Sequence, residues 1–159
     1  MIPRMSRCTI LVVAVFLSQL CLAQTPSSQN SEHAKFTLSI QKAAVAALNF
    51  RQGDATSFNR ARADFTADGW KDFLTHMQGF LDAKGAPTFT SSFVVKHDAR
   101  LLDEKNGLTH LRIPGSLTQS NKLGRTIYDP AAIEVYADKE AKIQRLQQIT
   151  CLGASKACE

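Results

Sequence analysis

The residues able to carry acid–base, metal or thiol chemistry are few. They are His33, His76, His97 and His110, the carboxylates near them, and Cys151 and Cys158 toward the C-terminus. His97 and Asp98 are neighbours on a predicted strand, so their side chains point to opposite faces and cannot form a dyad. Asn106-Gly107 is the strongest hairpin signal in the chain. A two-residue turn there sets His97 opposite Ser116 and His110 opposite Asp103, which keeps the two histidines from sharing a metal. His110 with Asp103 is then an exposed cross-strand polar pair. His97 falls on the apolar face as a buried or rim histidine. His33 lies at the start of the mature chain, and His76 stands beside Met77 off the main helical stripe. Asp64, Asp68 and Asp72 recur at four-residue steps, but Gly69 breaks the helix between them. Asp68 and Asp72 are thus first-turn carboxylates favoured by a helix dipole. Tyr128 and Tyr136 are strand residues at the edge of a core or lining a cavity. No His-x-x-x-His pair, glycine-rich phosphate loop, nucleophile elbow or paired-cysteine cluster occurs. The expectation is no catalytic residue, no cofactor and no metal.

The ends of the chain bound where such residues work. Arg4 and Arg7 precede an apolar run from Cys8 to Leu20, closed by Cys21-Leu22-Ala23, with Gln24 next. Basic, apolar and small, in that order, is the build of a secretory signal. An uncleaved N-terminal anchor is the alternative, and Ser18-Gln19-Leu20 before Cys21 makes a poor lipoprotein box. Removing residues 1–23 of 159 leaves 136, one domain by size. The 19 Lys and Arg lose Arg4 and Arg7, and against 14 acidic residues the mature charge is +3. The basic residues are scattered, which argues against a nucleic-acid partner. Cys151 and Cys158 are the mature chain's cysteines, and an even pair in an exported protein reads as a disulfide. It would close a short loop over 152–157 within the C-terminal tail 152–159; two free thiols are the alternative.

The elements that position these residues follow from periodicity. Residues 24–31 are Ser/Gln/Pro-rich and read as a disordered linker. Residues 32 to about 52 carry Phe36, Ile40, Ala43, Ala44, Ala47 and Leu48 at helical spacing. Gly53 ends that helix, and Asp54 caps a short second one. Thr66 to Gly69 starts a third. Its stripe runs through Trp70, Phe73, Leu74, Met77, Phe80 and Leu81, with Lys84-Gly85 as its C-cap. After Pro87 the period changes to two. Phe89 to Leu101 reads as one long strand, Leu111 to Leu117 as the returning strand interrupted by Pro114-Gly115, Arg125 to Ala137 as a third broken at Asp129-Pro130, and Ile143 to Cys151 as a bulged fourth, with a helix as the alternative because Ile143, Leu146 and Ile149 fall three apart. Helices followed by a strand meander is an α+β order. It predicts three helices on a strongly curved four-stranded antiparallel sheet over residues 32–151, with a cone-shaped cavity on its concave side.

The segment Phe65-Thr66-Ala67-Asp68-Gly69-Trp70-Lys71-Asp72-Phe73 resembles the F-T-x-D-G-W-x-x-F segment of the DotI/IcmL/TraM family. Those proteins are inner-membrane subunits of type IV secretion and conjugation machines. Their periplasmic domain belongs to the nuclear-transport-factor-two-like, cystatin-like α+β rolls. Leu111-Arg112-Ile113-Pro114, Ile133-Glu134-Val135 and Leu146 to Ile149 are similar in order to the family's later strands. The resemblance spans residues 34–151. It implies a non-enzymatic periplasmic assembly module whose partners are other secretion-system or envelope proteins and further copies of itself. In that module Phe65, Thr66, Asp68, Gly69, Trp70 and Phe73 serve structure. An alternative is a small-ligand or enzymatic use of the roll's cavity, with His97, Tyr128 and a carboxylate converging. Only seven residues precede the apolar run, and Leu108, Thr109 and His110 replace the family's usual aromatic. Both departures favour a soluble, exported paralogue that touches the membrane only through an uncleaved N-terminus.

Overall fold

In the computed structural model, residues 26–150 are described. The signal segment 1–23, the tail 152–159, Cys151 and Cys158 lie outside them. Helices α1 (Pro26–Leu48), α2 (Ala55–Arg60) and α3 (Ala67–Met77) precede β1 (Thr90–Val95), β2 (Arg100–Lys105), β3 (Leu108–Asn121), β4 (Gly124–Ala137) and β5 (Ile143–Thr150). The α+β order is the expected one. Helix α1 begins at Pro26, so residues 26–31 extend it rather than form a linker. Proline suits a first helical position, where its missing N–H has no partner to lose.

The sheet is antiparallel and open, in the order β1-β3-β4-β5, with β2 also paired to β3. It has five strands because the predicted long first strand is two. Val95 pairs with Gly115 and Arg100 with Arg112. Five steps along one chain thus oppose three along its partner. The surplus residues cannot stay in the ladder, and the segment 96–99 leaves it. The Lys122-Leu123 turn joins β3 to β4, which pair from Asn121↔Gly124 to Thr109↔Ala137 with one bulge between Gly115 and Leu117. Strand β5 is bulged against Tyr136 and Ala137, as its irregular apolar spacing suggested.

One face of the sheet is the core. Leu111, Ile113, Leu117, Ile133, Val135 and Ile143 are fully buried there. Ile40, Ala43, Ala44, Ala47 and Leu48 of α1 join the same buried cluster, and their small side chains let the helix lie close to the strands. Phe50, Phe58, Phe65, Trp70, Phe73 and Phe89 complete the cluster. Phe50 exchanges two backbone hydrogen bonds with Ser91, at 3.1 and 2.9 Å, and so covers the edge of β1.

The helix starts are capped as predicted. Asp54 Oδ1 accepts the Ser57 N–H at 2.8 Å, and Thr66 Oγ1 accepts the Gly69 N–H at 3.1 Å. The end of α3 differs. The helix stops at Met77 and tightens into a 3-10 turn over Gln78–Phe80. Lys84-Gly85 is not its C-cap but part of a separate turn built on Asp82. The Asp82 carboxylate accepts the N–H groups of Lys84 and Ala86. Those bonds, Ala86's first, hold its pKa below the ordinary carboxylate value. A Thr66→Ala chain is expected to lose about 1 kcal/mol through the missing cap, read as a lower midpoint in urea with unchanged slope.

Candidate functional site

The Phe65–Phe73 segment clamps α3 to the first residues of β5. Phe65 makes a parallel bridge with Ile143. The Thr66 N–H donates to Ile143 O at 3.0 Å, and Lys142 Nζ donates to Ala63 O beside it. Gly69 is buried with its Cα against the same backbone. A Cβ there would stand 2.8 Å from Gln144 O and nearer still to Ile143 O. Trp70 then packs among Phe65, Phe73 and Phe58, with ring centroids 5.4, 5.5 and 5.6 Å away. Asp68 is exposed in the first turn. The backbone contacts hold α3 to β5, and the ring contacts hold it to α2 and to the turn before it.

The histidines part company with expectation at two points. His97 is exposed in the break between β1 and β2, and Val94 stands opposite Ser116 in its place. His97 opens onto a shallow depression shared with Lys96, Asp129 and Pro130, where Lys96 Nζ pairs with Asp129 Oδ2 at 3.2 Å. Tyr128 pairs with Leu117 and packs against the core. The depression that His97 lines does not include Tyr128. His110 does face Asp103, with Nδ1 3.3 Å from Asp103 Oδ2, but only Asp103 of the pair is exposed. The His110 ring is 8 % exposed. It stacks on Tyr136, centroids 4.0 Å apart and planes 14° from parallel. His76 Nδ1 bonds the Asp72 carbonyl at 2.8 Å. Among the described residues no group of His, Cys, Asp and Glu is arranged to hold a metal ion.

His110 belongs to a polar ladder on the sheet face opposite the core. Arg112 Nη2 donates to Glu134 Oε1 at 2.6 Å and Nε to the same oxygen at 3.1 Å. Glu134 Oε2 lies 3.3 Å from His110 Nε2, without the alignment of a hydrogen bond. Burial pushes the Glu134 carboxyl up, yet the hydrogen bonds and charge of Arg112, with His110 close by, outweigh it and hold the pKa below the ordinary carboxylate value. Arg112 and Glu134 were findable in the sequence. Each alternates out of phase with the apolar residues of its strand, and the Ser120–Gly124 turn brings the two strands together. Because the folded pKa is lowered, the ionised Glu134 stabilises the domain above its unfolded pKa. That contribution disappears as pH falls through the folded value. A Glu134→Gln chain should therefore be about 1 kcal/mol less stable at neutral pH. The deficit should close as pH drops through the carboxylate range, in urea titrations run across pH.

A third feature lies on the core face, where the sheet outruns its helices. Leu48, Phe73, Met77, Phe80, Phe89 and Ile149 line a half-open, mainly apolar groove of about 560 Å³, into whose wall His76, Gln119, Gln147 and Gln148 also enter. A shallower depression of about 440 Å³ adjoins it and shares Phe80, Phe89 and Gln119. Its outer rim is Leu123 and Arg125 on the β3–β4 hairpin. Sequence periodicity placed Phe80 in the buried stripe; because α3 ends at Met77, it is 52 % exposed.

Three helices ahead of an antiparallel sheet, helix-covered on one face and joined by a Phe-Thr-x-Asp-Gly-Trp clamp, define an α+β domain of the DotI/IcmL-like fold. The periplasmic domain of DotI superposes with a TM-score of 0.57 at 15 % identity, over 72 % of this chain and 93 % of that one. An IcmL-like type IV secretion system protein from Legionella pneumophila gives 0.55 at 11 %, over 77 % and 96 %. The transfer protein TraH of a Gram-positive conjugative plasmid gives 0.51 at 14 %, over 79 % and 96 %. No protein-family model matches the sequence, and no curated protein does.

Proposed function

We propose that the chain is a non-enzymatic interaction module of a type IV secretion or conjugation apparatus, working on the exported side of the inner membrane. The observation that carries this reading is the shared fold of three domains that all come from secretion or conjugation systems. The clamp supports it, because the residues of the family-like segment hold the domain together. On this reading residues 1–23 direct export, Cys151 and Cys158 form a bridge, and the module acts through contacts with other envelope proteins or further copies of itself. Among the described residues no helix is long and apolar enough to cross a membrane. The test is affinity capture of the tagged chain from its native envelope, with mass spectrometry of what is retained. Recovery of secretion or conjugation subunits supports the reading; their absence from the captured material overturns it.

A further inference from the structure

The end of the molecule formed by the β3–β4 hairpin and the 3-10 turn has the composition of an amphiphile-binding site. Leu123 is 96 % exposed at the hairpin tip, and Asn121 Oδ1 accepts its N–H at 2.8 Å, which fixes the turn that presents it. From Gly115 to Tyr128 the sequence contains no Asp or Glu, while Lys122 and Arg125 flank the leucine. Arg125 is the one charged residue lining the outer depression, and the adjoining groove holds no carboxylate. Exposed apolar surface continuous with a concave apolar groove marks a binding site more often than chance. A groove of about 560 Å³ is within the usual size for one small ligand.

We propose that this end binds an acyl chain bearing an anionic headgroup. The chain lies in the groove along Phe73, Met77, Phe80, Phe89 and Ile149, and the headgroup meets Arg125. Two kinds of complementarity meet in one place. An apolar trough accepts the chain, and a basic rim without competing carboxylates accepts the head. A purely apolar partner would leave Arg125 unmatched, and a free anion would leave Phe80 and Leu123 so. The proposal goes beyond the assembly reading and does not depend on it.

The same chemistry is presented by a free fatty acid and by an anionic lipid in a bilayer. The test titrates the whole mature chain with decanoate, with decanol, and with phosphatidylcholine vesicles with and without phosphatidylglycerol. Decanoate should bind as a single molecule and more tightly than decanol. Arg125→Glu should weaken decanoate at least about tenfold and leave decanol unchanged. Phe80→Ser should weaken both. Arg125 is exposed and Phe80 half exposed, so both variants should stay folded, Arg125→Glu at the parent melting temperature and Phe80→Ser a few degrees below it at most. Binding of decanoate alone assigns a free-acid ligand, and added binding to the phosphatidylglycerol vesicles assigns a bilayer lipid; either supports the site. Decanol binding as tight as decanoate, indifference to Arg125→Glu, or no binding to decanoate or anionic vesicles would overturn it.

Discussion

A Gly69→Ala chain is expected to be about 3 kcal/mol less stable than the parent and to melt roughly 10 °C lower. One methyl group has this effect because of what it meets. The Cβ would enter the space of the carbonyl oxygens of Ile143 and Gln144, and backbone in a paired strand cannot rotate aside as a side chain can. Relief would require α3 to withdraw from β5. That withdrawal would stretch the Thr66 N–H to Ile143 O bond and the Phe65–Ile143 bridge together. Gly79 is the control. A Cβ there meets nothing within 4 Å and its φ is not positive, so Gly79→Ala should be neutral or slightly stabilising. Thermal melts of the two variants side by side decide the matter: equal melting temperatures would mean that the joint at Gly69 is looser than its contacts indicate.

How much of this was legible depended on whether a signal was local. Caps at Asp54 and Thr66 are decided within three residues, and both were foreseen. So was the burial of Trp70, Phe73 and Met77, one turn apart on a single face. The stripe failed where it was extended. Phe80 and Leu81 keep helical spacing, but Gly79 weakens the helix and the Asp82 turn replaces it. The same limit governs the histidines. The Asn106-Gly107 turn fixes Asp103 against His110 because only a few residues lie between them. Carrying that register back to His97 fails, because β1 and β2 each pair with β3 independently and the mismatch falls between them. The groove was the least legible feature. It is made by Leu48, Phe80, Phe89 and Ile149, which no local pattern connects. The role of Gly69 was partly visible: a tight join was foreseen, but the partner in it is a strand more than seventy residues later.

Trp70→Ala is expected to show the largest loss, about 3–5 kcal/mol, a large fraction of what a domain of this size has to lose. The indole is 7 % exposed and touches three other rings, Phe58, Phe65 and Phe73. Those rings come from three separate places: α2, the turn before α3, and α3 itself. Removing the indole therefore leaves a hole between elements that are each fixed by other bonds. Thr66 holds the start of α3 to Ile143, and Phe50 holds the chain before α2 to Ser91. Such a site cannot collapse cheaply, which puts the expected cost toward the upper part of the range for aromatic truncation. Trp70→Phe should recover most of the stability, since a ring at that position restores edge and face contacts worth about 0.5–1.5 kcal/mol each. Phe80→Ala supplies the contrast, because it shares the helical stripe by spacing but is 52 % exposed, and its loss should stay below about 1 kcal/mol. Trp70 is the chain's single tryptophan, so its fluorescence follows unfolding of the parent and of Phe80→Ala, and far-ultraviolet circular dichroism follows the two Trp70 variants. A Trp70→Ala chain that unfolds at the same urea concentration as Phe80→Ala would show that the aromatic cluster is not what holds α2 and α3 to the sheet.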